Sequence, residues 1–173
     1  MSNWPLLFET ALVTGLLLSL VLLVIMFISA AVARDMWVGD YPPDIRAKYG
    51  PMSARSAHLR PFFAVLVFGA TLLIPLLGLF ALQQQVGHLS FIPALVFSAL
   101  SILVFNLFDL LVLDWLFFCT VQPRIMVLPG TQGMAGYRDY RFHFIGFLKG
   151  LGFCGVGGLV IATLWLPVQA LAS

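Results

Sequence analysis

Four polar side chains stand where so apolar a chain can least accommodate them. Asn106, Asp109 and Asp114 interrupt the stretch Phe91 to Cys119, and Lys149 interrupts Phe142 to Pro167. In hydrocarbon an ionisable group costs on the order of 2.5–3.5 kcal/mol on insertion scales, so such groups normally meet a partner inside the protein or line a path for ions or protons. Asp109 lies ten residues before Cys119 and Lys149 nine after Tyr140. Two antiparallel helices joined by the intervening loop bring them to similar depth. This predicts a polar centre of Asn106, Asp109, Asp114 and Lys149, read either as an Asp109–Lys149 clasp or as a proton- or ion-coupled site. On an α-helix Asn106 and Asp109 share a face, whereas Asp109 and Asp114 are about 140° apart. Asp109 is therefore expected to point into the bundle, and Asp114 toward a helix end, within reach of Arg141 or a downward-pointing Lys149.

His58 and His143 flank the starts of two apolar stretches. Imidazoles titrate near neutrality and ligate metals, which makes these two the pH-sensing or metal-binding candidates. Their spacing forms no local metal motif, and no cofactor is expected. Arg60, Arg138 and Arg141 border the same ends and are placed to hold an anionic headgroup. All four tyrosines, Tyr41, Tyr49, Tyr137 and Tyr140, fall in loop sequence, where an amphipathic ring suits the membrane interface. Cys119 and Cys154 differ too much in depth to pair and read as small packing residues. Gly-x-Ser-x-Gly, His-Glu-x-x-His, phosphate-loop and dinucleotide fingerprints are all missing.

The elements that must carry these residues follow from composition. The 173 residues are 61% hydrophobic and 9% charged, with a mean hydropathy of +1.04. Soluble domains carry roughly 25% charge, and a chain this small cannot hide so much apolar surface in its own core. A disordered chain, a nucleic-acid binder and almost any soluble globular domain are excluded. The fold class expected is an all-α integral membrane protein, a single four-helix bundle over residues 1–173. Its spans run at about 11–33, 61–82, 91–119 and 142–167, with loops at about 34–60 and 120–141, each span close to the ~20 apolar residues a bilayer requires. Within the first loop, residues 44–49 have room for one helical turn. All nine Lys and Arg lie in those two loops or just inside the following span. The positive-inside rule then puts both loops in the cytoplasm and both termini outside, in a multi-pass plasma-membrane protein. Ala31-Val32-Ala33 resembles a signal cleavage site, but no basic residue precedes Arg34, so a retained helix is expected.

Span four carries a small-residue stripe, Gly146, Gly150, Cys154, Gly158 and Ala162. Its four-residue spacing keeps one face open to close backbone approach. The expected partner is span one, through Thr14, Gly15 and Ser19, or the same stripe of a second copy. Pro75 should kink span two, with Thr71 answering the freed carbonyl.

Three functions compete. The first is a small transporter or channel-like protein, in oligomeric form, built on the Asn/Asp/Lys centre. The second is a structural or accessory protein assembling through the glycine stripe. The third is a membrane-embedded enzyme acting on a lipid or quinone at the cytoplasmic face, with His58, His143 and Asp114 as its site. The partners expected are the lipid bilayer and its anionic headgroups, with no nucleic acid.

Overall fold

A computed structural model describes residues 3–172, with side chains through Gln169. Helix α1 spans Trp4–Val32. Asn3 caps it by accepting the Leu6 N–H at 3.3 Å, and Pro5 occupies the first turn, where its missing donor costs nothing. A 3-10 turn at Val38–Asp40 and the short helix α2 (Pro43–Tyr49) follow. Helix α3 (Ala54–Val86) runs without interruption through Pro61 and Pro75. The Thr71 hydroxyl is spent on the Val67 carbonyl at 2.8 Å, one turn earlier, rather than answering its own freed carbonyl. Gly87, at φ 78°, ends α3 by donating to the Gln83 carbonyl. Helix α4 (Phe91–Phe108) continues into thirteen residues of π-helix, Asp109–Val121. A 3-10 turn at Ala135–Arg138 leads to α5, Tyr140–Ala172. The Asp139 carboxylate starts α5 by accepting the Phe142 N–H at 2.9 Å.

Four helices are long and apolar enough to cross a membrane: Trp4–Val32, Ala54–Val86, Phe91–Val121 and Tyr140–Gln169. Helices α1, α3 and α5 begin or end several residues beyond the expected spans, whereas the third span starts at Phe91 as expected and ends at Val121. The largest such difference is at α3, which Ser53 starts by accepting the Ser56 N–H. Their outward faces carry apolar residues such as Phe68 at 69% and Phe153 at 74% exposure, an inversion of the soluble pattern. Helix α4 is central, packing most extensively on α5 and then on α1, while α3 leans chiefly on α1.

The half of the bundle nearest the termini is filled by Leu7, Leu79, Leu82, Phe97, Ile161 and Trp165, all essentially inaccessible. The other end, where both long loops emerge, has its own core. Tyr41 and Ile45 from the first loop meet Phe118, Leu128 and Tyr137. The Tyr41 hydroxyl donates to the Met126 carbonyl at 2.9 Å, and the Tyr137 oxygen accepts the Leu128 N–H at 2.9 Å. Asp44 accepts the Gly136 N–H at 3.0 Å, joining the loops again. These two tyrosines are thus buried between the loops rather than laid along an interface, because each has both a polar partner and an apolar cradle there.

The glycine stripe of α5 faces α4, not α1. A Cβ added at Gly158 would stand 2.8 Å from the Ala99 Cβ and 2.9 Å from the Ala99 nitrogen, and one at Gly150 would press on the Asn106 side chain. Gly146 meets nothing within 4 Å and is exposed, so the close approach begins one turn later than the spacing implied. Gly15 of α1 instead packs on Ser101 and Val104 of α4.

Candidate functional site

At the loop end, the last turns of α1, the π-helix and the start of α5 do not close on one another. They enclose a cavity of about 110 Å³, room for a few waters or a small cation. Its polar lining is Arg34, Asp40, Tyr41, Asp109, Asp114 and His143; the apolar remainder includes Met26, Leu113 and Phe118. Asp109 and Asp114 both reach it because the segment between them is wound as a π-helix. Hydrogen bonding from i to i+5 makes residues five apart near neighbours on the wall. The Thr120 hydroxyl, bonded to the Trp115 carbonyl at 2.7 Å, follows the same five-residue step. The 140° separation expected for an α-helix does not hold here.

His143 Nδ1 donates to Asp114 Oδ1 at 2.8 Å. The imidazole is wedged between Phe118 and Phe142, at centroid distances of 4.7 and 5.3 Å, and is 6% exposed. Its Nε2 is buried with no hydrogen-bond partner in the protein. A carboxylate that holds Nδ1–H fixes the tautomer and leaves Nε2 as a directed proton acceptor. A buried polar atom without a partner costs about 1–3 kcal/mol, so a water or a ligand donor at Nε2 would relieve it.

The first loop builds the rest of the wall. Trp37 donates its indole N–H to Ser29 Oγ at 2.8 Å, and the Arg60 guanidinium lies over its ring at 5.9 Å. Asp40 keeps an exposed edge, yet the apolar wall behind it desolvates its carboxyl and raises its pKa; Arg60 and Arg46 oppose this and Asp114 adds to it. Burial likewise raises the Tyr41 phenol, reinforced by Tyr137 and Asp40, so that it stays neutral. Asp35, 5% exposed, does the opposite. Burial disfavours its charge, but hydrogen bonds from the Ser56 hydroxyl and from the Ser53 N–H and hydroxyl outweigh that and lower its pKa. It thereby ties the first loop to the start of α3.

The residues expected to form one polar centre are dispersed. Asn106 donates to the Phe147 carbonyl at 3.2 Å, fastening α4 to α5, and does not line the cavity. The α-helix ends at Phe108, so the three-residue rule linking Asn106 to Asp109 is cut by the change of winding. Lys149 is exposed on the outer side of α5. Among the described residues the His143–Asp114 contact is the single one between an acidic and a basic side chain within salt-bridge distance, so the Asp109–Lys149 clasp is not formed. Depth matched, but Lys149 points the other way round its helix. His58 is exposed on α3 and apart from the cavity. Among the described residues no three His, Cys, Asp or Glu side chains converge as metal ligands do. Cys119 and Cys154 are buried and free. Arg141 is exposed on α5, whereas Arg138 lines a separate cavity within the second loop. Sequence reasoning missed Arg34, Asp40, Trp37 and Tyr41 as wall residues. Nothing in local spacing marks them, since they meet the π-helix only through the fold.

The all-helical fold with four membrane-length apolar helices is compatible with a polytopic membrane protein. No family model, curated protein or solved structure matches the chain, so its site is read from its own residues.

Proposed function

We propose that the protein is a polytopic membrane protein, oriented with both long loops in the cytoplasm and both termini outside, that binds and passes protons or a small cation through its acidic cavity. The observation that carries this reading is the single cavity joining Asp109, at membrane depth, to the Asp114–His143 pair, whose Nε2 is unpartnered. Three carboxylates with one arginine favour a cation or a proton over an anion. Intramembrane ionisable groups that line a cavity are the usual elements of proton relays.

With the half near the termini closely packed, the reading has the cavity entered from the loop side, and passage then requires either an opening of that half or a path completed by a second copy. Asp109 is the central acceptor, His143 the directed acceptor, and Asp114 its orienting partner.

The test is proton flux. Purified protein in liposomes containing a pH-sensitive dye, under an imposed potassium diffusion potential, should acidify or alkalinise the lumen faster than protein-free liposomes. Asp109→Asn should return the rate to the protein-free value while leaving helix content unchanged. Equal flux in the native and Asp109→Asn proteins would remove the proposal. A second reading, an enzyme acting on a lipid or quinone, draws on the same Asp114–His143 pair, which has the geometry of a general base acting through a water. It requires turnover of such a substrate that His143→Gln abolishes in protein showing no flux.

A further inference from the structure

A second polar cavity lies beside the acidic one, and its chemistry is of opposite sign. About 460 Å³ in volume, it is lined by Arg34, Gln122, Arg124, Val127, Gln132 and Gly133. A neighbouring cavity of about 350 Å³ shares Gln122 and Gly133 and adds Arg138. No carboxylate lines either cavity. Among the described residues none of the three arginines lies within salt-bridge distance of a carboxylate.

We propose that this groove between the two loops is a binding site for a phosphate-type oxyanion, borne by a lipid headgroup or free in solution. Its cations are all arginine, whose planar fork matches phosphate oxygens two at a time. Arg34 and Arg124 are like charges around one recess, with Arg138 lining the next, and an anion between them relieves their repulsion. The amide of Gln132 is exposed at the rim, and the N–H groups of Gln132 and Gly133 make no backbone hydrogen bond, so further donors stand beside the forks. The volume lies in the range of small-ligand sites, roughly 300–1,000 Å³. The groove opens where the π-helix ends, at Gln122, the level at which a membrane presents its headgroups to basic loops. Arg34 lines both this groove and the acidic cavity. Arg124 and Gln132 line the groove alone, so they test it without touching the acidic site.

The experiment uses the full chain in maltoside micelles, which hold no phosphate. Thermal unfolding is followed while inorganic phosphate replaces chloride at constant ionic strength, and separately while phosphatidylglycerol is added. A ligand of the folded state raises the midpoint in proportion to its affinity. A rise with inorganic phosphate identifies a free anion; a rise with the lipid alone identifies a headgroup. In either case Arg124→Gln should weaken the response by about tenfold or more, the loss of one charge-assisted contact, and Arg124→Lys should be intermediate. Arg55→Gln, on the exposed first turn of α3, should respond like the native protein. No rise with either probe, an equal rise in native and Arg124→Gln proteins, or an equal loss in Arg124→Gln and Arg55→Gln overturns the proposal.

Discussion

Replacing Gly158 with Ala should destabilise the bundle although Ala is the better helix former. The new Cβ would stand 2.8 Å from the Ala99 Cβ, 2.9 Å from its nitrogen and 3.0 Å from its Cα. Unstrained heavy-atom contacts lie at about 3.5–4.0 Å. Two of the three atoms met are backbone, so no side chain can swing away, and α5 must separate from α4 along the seam. Overpacking of this kind costs about 1–3 kcal/mol, against about 1 kcal/mol gained in helix propensity. The net expectation is a loss of about 0–2 kcal/mol, and so about 1–3 kcal/mol relative to a site that gains the propensity alone. Gly155 on the same helix is the internal control, since it is exposed and a Cβ there meets nothing within 4 Å. Gly155→Ala should be neutral or stabilising by up to about 1 kcal/mol. Equilibrium unfolding in mixed micelles of rising dodecyl sulfate fraction, followed by helical circular dichroism, measures both. The packing argument is refuted if Gly158→Ala proves as stable as Gly155→Ala.

Gly150→Leu should be worse than either alanine, because it also displaces Asn106 from the Phe147 carbonyl; an unchanged unfolding midpoint would contradict this. Tyr137→Phe strands the buried Leu128 N–H and should cost about 1–3 kcal/mol, with faster amide exchange over residues 123–139 as the readout. Asp35, whose folded pKa is lowered, contributes stability that is present above its unfolded value of about 3.9 and lost as pH falls through the folded value. In melts across an acid pH series Asp35→Asn should therefore lie below the native protein near neutrality and converge with it in acid; parallel curves would argue against the carboxylate. Cysteines introduced at Ser90 and Gln132, both exposed, should label from opposite sides of the membrane in sealed cells, Ser90 from outside, and labelling of both from one side would defeat the topology.

What was legible in the sequence was whatever depends on local composition. Runs of about twenty apolar residues marked the four spans, and four-residue spacing of Gly150, Cys154 and Gly158 marked a face that packs closely, although not its partner helix. Asp109 stood out by cost alone. The arrangement around it was not legible, because the azimuth of a residue depends on winding. The segment DLLVLDWLFFCTV contains no proline or glycine to announce a π-helix, and under α-winding its two aspartates diverge. Lys149 shows the converse: matched depth predicted a pair, and helix rotation prevented it. The tyrosines read as interfacial because nothing local places Tyr41 against its partner Met126, 85 positions away.

The reading of the acidic cavity stands or falls on whether water reaches Asp109 from the loop side. With Cys119 and Cys154 replaced by Ala, single cysteines at Asp109, Asp114 and Ser98 can be exposed in oriented vesicles to a membrane-impermeant thiol reagent. Ser98 is fully buried in α4 and serves as the closed reference. Rapid modification of Asp109→Cys and Asp114→Cys from the loop side only, with Ser98→Cys unreactive from both sides, is the predicted result. An Asp109→Cys protein as inert as Ser98→Cys would contradict it.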